Sequence, residues 1–209
     1  MHLRIPTWAE GAAVTVNGRN EDGVSAGMVF TIERVWNDGD VVELVFPMKV
    51  RTERWFENAV SVERGSLVYV LKIDEKWTKV SLDPAEGKGE SYWAVDAVSP
   101  WNYALLKQSV DSPDDEFEFA ADESKLTGGW YWSPDTAPVS ISARAARIPC
   151  WTMYNGDTGT MPYSQIPSSL FNVNNRKSSY VSDGKYETVK LIPYGCSTLR
   201  ITEFPVISR

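Results

Sequence analysis

Residues 67–73 read Leu67-Val-Tyr-Val-Leu-Lys-Ile73, a nearly continuous run of apolar side chains that favour β-strands. A strand with one face in water alternates apolar and polar residues, whereas a strand covered on both faces is apolar throughout. We therefore expect this segment to lie at the centre of a β-sandwich.

Shorter segments around this run alternate apolar and polar residues and end at turn-forming residues. Residues 13–17 end at an Asn17-Gly18 turn, and residues 28–36 lead through Asn37-Asp38-Gly39 into residues 41–46, which predicts hairpins. No segment carries an amphipathic helical stripe over three turns, and 12 prolines with 14 glycines interrupt any helix. The sequence predicts an all-β fold of two tandem antiparallel β-sandwich modules. The further predicted strands cover residues 91–98, 103–108, 116–120, 139–145, 186–192 and 198–204.

Turn-forming and charged residues interrupt this pattern at Asp83-Pro84 and Gly87-Lys88-Gly89. We place a domain junction there, with a first sandwich in residues 1–82 and a second in residues 90–209. Met1 and His2 lead directly into a strand without a turn or cap, which predicts a fragment of a longer polypeptide whose first sandwich is incomplete at its N-terminus. The polar residues 164–182 are typical of a long surface loop.

The composition argues against several classes of partner. The chain has 209 residues, 43% of them hydrophobic, and a net charge of −7. The excess of acidic residues opposes binding to nucleic acids and to anionic membranes, and no apolar run approaches the ~20 residues of a membrane-spanning helix. The N-terminus lacks the layout of a signal peptide, so the sequence leaves the compartment unknown.

The pentapeptide Arg-Ile-Pro-x-Trp occurs at residues 4–8 and again at residues 147–151. Each copy is followed, roughly 40 residues later, by a strand-like word that ends in proline, at Pro47 and at Pro193. Either one module is used twice, or the likeness is coincidental in an all-β protein. Neither copy contains residues of an active site.

Candidate catalytic groups are few. His2 is the only histidine, which argues against zinc sites and Ser-His-Asp triads, and Cys150 and Cys196 are more consistent with separate buried thiols than with a disulfide. Glu116 and Glu118 have the alternate spacing of two glycosidase carboxylates on one strand. Phe117 and Phe119 are expected to face inward, which favours two solvated glutamates. The same acidic run lacks the pattern of a calcium loop.

Aromatic residues are the remaining candidates for function. Trp101 and Tyr103 follow a Ser-Pro turn, and Trp130 and Trp132 follow a Gly-Gly pair, so both clusters place rings where a loop meets a strand. Such rings could stack on sugars as a carbohydrate-binding site, although packing in the core or between domains is the interpretation we favour. A third hypothesis is an assembly surface built on the rings near Trp77 and Trp93.

Several phrases resemble one known family. They are Leu3-Arg-Ile-Pro-Thr-Trp-Ala-Glu-Gly, Trp36-Asn-Asp-Gly-Asp-Val-Val-Glu-Leu, Val62-Glu-Arg-Gly-Ser-Leu-Val-Tyr and Leu191-Ile-Pro-Tyr-Gly-Cys-Ser-Thr-Leu-Arg-Ile. Together they look like the C-terminal, non-catalytic β-sandwich region of glycoside hydrolase family 127, the β-L-arabinofuranosidase family that was formerly a domain of unknown function. The resemblance spans nearly the whole chain.

The resemblance implies an upstream catalytic (α/α)6 barrel with a zinc-bound cysteine nucleophile and a glutamate acid/base. Neither Cys150 nor Cys196 stands in a matching motif, so no catalytic residue is carried over, and we expect this chain alone to be inactive and to hold no cofactor. The leading hypothesis is an accessory region that supports the barrel of the same polypeptide, with homodimer contacts as a further role. A carbohydrate-binding module for an oligosaccharide is the alternative. Relatives of this kind include exported and intracellular enzymes.

Overall fold

The computed structural model describes residues 1–82, 90–127, 129–130, 132–162, 164 and 185–208. The predicted all-β fold is confirmed. The chain forms two compact units, one of Met1–Val50 with Arg64–Ser66 and the other of Arg51–Glu63 with Leu67–Arg209. This division lies near residue 50, whereas we had placed the junction between residues 82 and 90, because strands before residue 82 pair with strands from the second half of the chain. Residues 83–89 themselves, and nearly all of the predicted loop at 164–182, lie outside the described residues.

The first unit contains two small antiparallel sheets that share one hydrophobic core. β1 pairs with β4, and β2 lies between β3 and β5. Ile5, Val14, Val16, Phe30 and Ile32 are buried in the core of this unit, which also contains the edge-to-face contact of Trp8 and Phe46 at 5.6 Å. The strands are β1 (His2–Arg4), β2 (Ala13–Val16), β3 (Arg19–Asn20), β4 (Val29–Thr31) and β5 (Val42–Val45).

The predicted turn at Asn17-Gly18 joins β2 to β3. Both residues have positive φ angles, 51° and 74°, as a two-residue hairpin turn with the twist of its strands requires. The predicted hairpin between residues 28–36 and 41–46 is wrong, because β4 pairs with β1 and β5 pairs with β2. Alternation identified these strands correctly but carried no information about their neighbours.

Asp40 connects two turns of the first unit. Its carboxylate accepts hydrogen bonds from the backbone N–H of Asn37 at 2.9 Å and from Nδ2 of Asn17 at 2.8 Å, and Arg34 lies 3.5 Å away. Oδ1 of Asn17 accepts in turn from the N–H of Val41 at 2.8 Å. The bond from Asn37, followed by the bond from Asn17 and the charge of Arg34, lowers the pKa of Asp40 below its ordinary value of 3.8.

The described residues of the second unit form one eight-stranded sheet and two separate two-stranded ribbons. The large sheet has the order β17-β11-β13-β16-β8-β7-β6, with β12 also paired to β13, and β11 and β17 form a parallel pair in it. The ribbons are β9 with β10, and β14 with β15. The strands are β6 (Val50–Arg54), β7 (Val60–Arg64), β8 (Leu67–Leu71), β9 (Glu75–Ser81), β10 (Ser91–Ala97), β11 (Tyr103–Leu106), β12 (Glu118–Ala121), β13 (Val139–Arg147), β14 (Met153–Tyr154), β15 (Asp157–Thr158), β16 (Tyr186–Pro193) and β17 (Val206–Ile207).

The apolar segment at residues 67–73 contains β8, which lies inside the large sheet between β16 and β7. Tyr69, Val70 and Leu71 are consecutive and only 1%, 0% and 2% exposed, so side chains on both faces of this strand are buried. The prediction of a strand covered on both faces is therefore confirmed. Its partner β16 is buried in the same way where the two strands meet, with Leu191 opposite Leu71 and Ile192 opposite Val70.

Short helices replace two of the predicted strand ends. The strand predicted at residues 103–108 stops at Leu106, and the helix α1 (Lys107–Asp111) begins directly after it. The helix α2 (Pro113–Glu116) begins at a proline, whose fixed φ suits the first helical position. Residues 198–204 were predicted as a strand and form only a single bridge at Phe204. The described residues also form 3-10 helices at Phe56–Asn58, Glu123–Thr127 and Tyr194–Cys196. Among the helices described, none has the length and hydrophobicity that a membrane span requires.

The two copies of Arg-Ile-Pro-x-Trp adopt related but different local structures. In both copies the arginine ends a strand and the isoleucine, Ile5 or Ile148, is buried. The following turn is closed by the N–H of Ala9 on the carbonyl of Pro6 in the first copy, and by the N–H of Trp151 on the carbonyl of Ile148 in the second. The turn is therefore shifted by one position, and the two strands stand in different sheets with different neighbours.

Replacing Leu71 by alanine tests the central position of β8. We expect Leu71→Ala to lower the free energy of unfolding by about 2–5 kcal/mol, since it leaves a cavity between buried neighbours. Leu67→Ala is the matched control, because Leu67 begins the same strand and is 40% exposed. Urea unfolding of both variants measures the difference. Equal losses for the two variants would show that β8 is not the buried centre of the unit.

The bonds of Asp40 predict a dependence of stability on acid pH. In the folded state the pKa of Asp40 lies below its ordinary value of 3.8. The ionised carboxylate therefore stabilises the fold fully above pH 3.8, and this stabilisation is lost as the pH falls through the pKa of the folded state. We expect Asp40→Asn to destabilise the protein at pH 7 and to flatten this acid dependence. Asp38→Asn, in the same turn, controls for the loss of one negative charge. Urea unfolding at pH 7, 4 and 3 is the measurement, and an unchanged acid dependence in Asp40→Asn would contradict the assignment.

Candidate functional site

Trp101 and Tyr103, two of the four predicted carbohydrate-binding residues, pack inside the second unit. Tyr103 begins β11 and is buried, and the half-buried Trp101 makes an edge-to-face contact with Trp151 at 5.2 Å. The buried Asn102 between them donates from Nδ2 to the carbonyls of Ile148 at 2.9 Å and Trp151 at 3.0 Å. This cluster joins the start of β11 to the turn after β13, and the ring of Tyr103 presents no open face to a sugar.

Trp130 and Trp132, the other two predicted residues, are exposed. Their exposed fractions are 64% and 57%, and Tyr131 between them lies outside the described residues. The indole of Trp132 lies on Gly195, which belongs to the 3-10 helix after β16. The four predicted rings are thus divided between the interior and the surface.

Tyr194, the residue before Gly195, and Arg200 were not predicted as site residues. Arg200 stacks over Tyr194 at 4.3 Å from the ring centroid. The sequence gives one indirect signal, and it concerns Tyr194 alone. Tyr194 lies between Pro193 and Gly195, and proline and glycine are typical of a turn at the end of a strand.

Trp77 and Trp93 lie on the ribbon of β9 and β10. Their rings meet edge-to-face at 6.4 Å, and both are at least half exposed, as is Tyr92. The carboxylate of Glu75 anchors the base of the ribbon, because it accepts from the N–H groups of Thr198 at 3.1 Å and Leu199 at 3.2 Å and from the indole N–H of Trp77 at 3.1 Å. The ribbon therefore carries exposed rings on an anchored base.

The two glutamates with glycosidase-like spacing do not share a strand. Glu116 ends the helix α2 and accepts a hydrogen bond from Nε2 of Gln108, whereas Glu118 is exposed at the start of β12. Phe117 is buried, as predicted, whereas Phe119 is only half-buried. The helix that begins at Pro113 changes the direction of the chain before Glu118, so the spacing in sequence does not produce two carboxylates on one face.

Other titratable groups serve local structure. Nδ1 of His2 and Oγ1 of Thr31 share a hydrogen bond of 2.9 Å. The pKa of Asp122 is lowered, chiefly by the hydroxyl of Ser124, and the pKa of Asp135 is lowered by the hydrogen bond and the charge of Lys72, whose Nζ lies 2.8 Å away. In the part of the chain that the structure describes, no three His, Cys, Asp or Glu side chains are grouped to hold a metal ion.

The cysteines form no disulfide with each other, as predicted. Cys196 is buried against Val70, Ala137 and Ile192, and burial raises the pKa of its thiol. Cys150 was expected to be buried and is exposed, since it lies in the turn between β13 and Trp151.

Comparison with protein families finds a match at the start of the chain. The family model described as Beta-L-arabinofuranosidase, GH127 middle domain, matches residues 1–48. The chain resembles a fragment of these enzymes. No curated protein matches the chain.

Solved structures match over the whole chain. One is a glycoside hydrolase with 20% identity and a TM-score of 0.52, covering 100% of this chain and 27% of that one. Another is a GH127 β-L-arabinofuranosidase from Geobacillus stearothermophilus T6, with 23% identity, a TM-score of 0.52, and coverage of 100% and 26%. A third, a GH127 β-arabinofuranosidase, has 18% identity, a TM-score of 0.51, and coverage of 99% and 25%. The chain thus shares its fold with about a quarter of the length of each.

The two thiols are expected to differ in reactivity. Because Cys150 is exposed and Cys196 is buried with a raised pKa, a thiol reagent at pH 8 should modify one cysteine in the folded protein and two after denaturation. Cys150→Ser should leave no rapidly reacting thiol in the folded state. Quantifying the released thionitrobenzoate checks both results, and rapid modification of two thiols in the folded protein would contradict the burial of Cys196.

Proposed function

We propose that this chain is a non-catalytic accessory β-sandwich region of a glycoside hydrolase that resembles β-L-arabinofuranosidases. The supporting observation is that almost the entire chain superposes on about a quarter of the length of such enzymes, while its first 48 residues match a model of their middle domain. In this proposal the catalytic (α/α)6 barrel, with its zinc-bound cysteine, belongs to the same polypeptide upstream of this region. The region itself holds no cofactor.

The accessory role is to support the barrel. A rigid support needs a strongly cohesive core, and the second unit has one in the paired strands β8 and β16. It also needs surface that can pack against other protein. The exposed rings of Trp77, Tyr92 and Trp93 are suited to that purpose, because a two-stranded ribbon with exposed aromatic residues gains stability when it is covered. The same ribbon is our candidate for contacts in a homodimer.

Hydrolysis assays test the accessory assignment. The purified chain should release no 4-nitrophenol from 4-nitrophenyl β-L-arabinofuranoside above the rate in buffer, with or without added zinc, because the proposal places the nucleophile and the acid/base in the barrel. The complete polypeptide, assayed beside it, should release the product. Turnover by the isolated chain at an enzyme-like rate would refute the assignment.

A further inference from the structure

Trp132 is exposed, yet its ring is held in place by a close contact with backbone. A Cβ atom at position 195 would lie 2.7 Å from Cζ3 and 2.8 Å from Cε3 of its indole, so only glycine allows the ring to lie where it does. Gly195 does not have a positive φ angle, and its lack of a side chain is therefore used for this contact and not for the backbone conformation. Trp132 nevertheless remains 57% exposed to solvent.

The loop that follows Trp132 is anchored at three points. Oγ of Ser133 accepts from the N–H of Thr136 at 3.3 Å and shares a hydrogen bond of 2.8 Å with its hydroxyl. Asp135 forms an ion pair with Lys72 at 2.8 Å, and Ala137 is buried in the cluster beneath. An exposed tryptophan on an anchored loop is preorganised, so a ligand that stacks on it loses little to the ordering of the side chain.

Tyr194 and Arg200 lie close in the chain to Gly195, on which the indole of Trp132 rests. Tyr194 is the residue before Gly195, and Arg200 stacks on its ring. Nε of Arg200 donates to the carbonyl of Ser197 at 2.9 Å, which fixes the guanidinium. Its two Nη groups and the indole N–H of Trp132 have no hydrogen-bond partner among the described residues, which leaves several donors beside open aromatic surface.

We propose that Trp132, Tyr194 and Arg200, the Trp132 patch, bind a ring of a neutral saccharide. The C–H face of a sugar ring stacks on the exposed indole, and its hydroxyl oxygens accept from the Nη groups of Arg200. An apolar face with fixed donors at its rim suits a sugar, which has an apolar face and a polar edge. The net charge of −7 opposes the approach of polyanionic polysaccharides, so the ligand is neutral. This binding role is independent of the proposed accessory function.

Native gel electrophoresis with soluble plant arabinan, galactan or xylan in the gel tests the patch. The negatively charged chain should migrate more slowly in at least one of these gels than in a gel without polysaccharide. Trp132→Ala should abolish the retardation. Arg200→Lys, which keeps the charge but loses the planar pair of donors, and Gly195→Ala, which displaces the indole, should each weaken binding by roughly tenfold or less.

Trp93→Ala is the matched control, because Trp93 is 58% exposed but lies on the ribbon of β9 and β10. It should keep the retardation of the parent chain. Thermal unfolding of every variant separates lost binding from lost folding, and Gly195→Ala and Arg200→Lys provide the test should Trp132→Ala not fold. Migration of the parent chain unaffected by all three polysaccharides would overturn the proposal. Loss of retardation in folded Trp93→Ala as complete as in Trp132→Ala would overturn it too.

Discussion

The pairing of β8 with β16 is the contact on which the second unit depends. Residues 69–71 lie opposite residues 191–193, and side chains on both faces of these strands are buried. The pair joins the early part of the chain to its end, so its hydrogen bonds form only after a long loop has closed. A fold dominated by such distant contacts is expected to form slowly and cooperatively, with little stability in either half of the sheet alone.

Patterns within single segments predicted the strands. The pairing of strands and the division into units depend on contacts between distant segments, which these patterns do not show. The apolar run at residues 67–73 correctly predicted the central strand β8, which ends at Leu71, because an apolar run is a local property. The neighbours of β4 and β5 were not predictable in the same way, since alternation says which face is buried and not which strand lies alongside. The division of the chain into two units was equally hard to predict, because it depends on which strands pair. Turn-forming residues at 83–89 marked a break in the pattern, while the sheet includes strands from both sides of it.

The aromatic clusters show why the sequence alone could not separate exposed rings from packed rings. Trp101 and Trp132 both follow turn-forming residues, yet one packs on Trp151 and the other lies open on Gly195. What separates them is the identity of a residue far away in sequence. Tyr194 and Arg200 were missed for the same reason, because an aromatic residue and an arginine six positions apart have no periodic relation that indicates stacking. Glu118 is exposed as predicted, whereas Glu116 is half-buried at the end of a helix from Pro113 that was not predicted.

Asn17 combines two properties that matter for the long-term chemical integrity of the first unit. An Asn-Gly sequence is prone to lose its side-chain amide as ammonia, because the small following residue lets its backbone nitrogen approach the amide carbon. Here both ends of that amide are engaged, Nδ2 with Asp40 and Oδ1 with the N–H of Val41, which restrains the approach. Should the amide nevertheless be lost, the new carboxylate would face that of Asp40. The same contact that protects Asn17 would then become a repulsion, so ageing of the protein at this site would loosen both turns together.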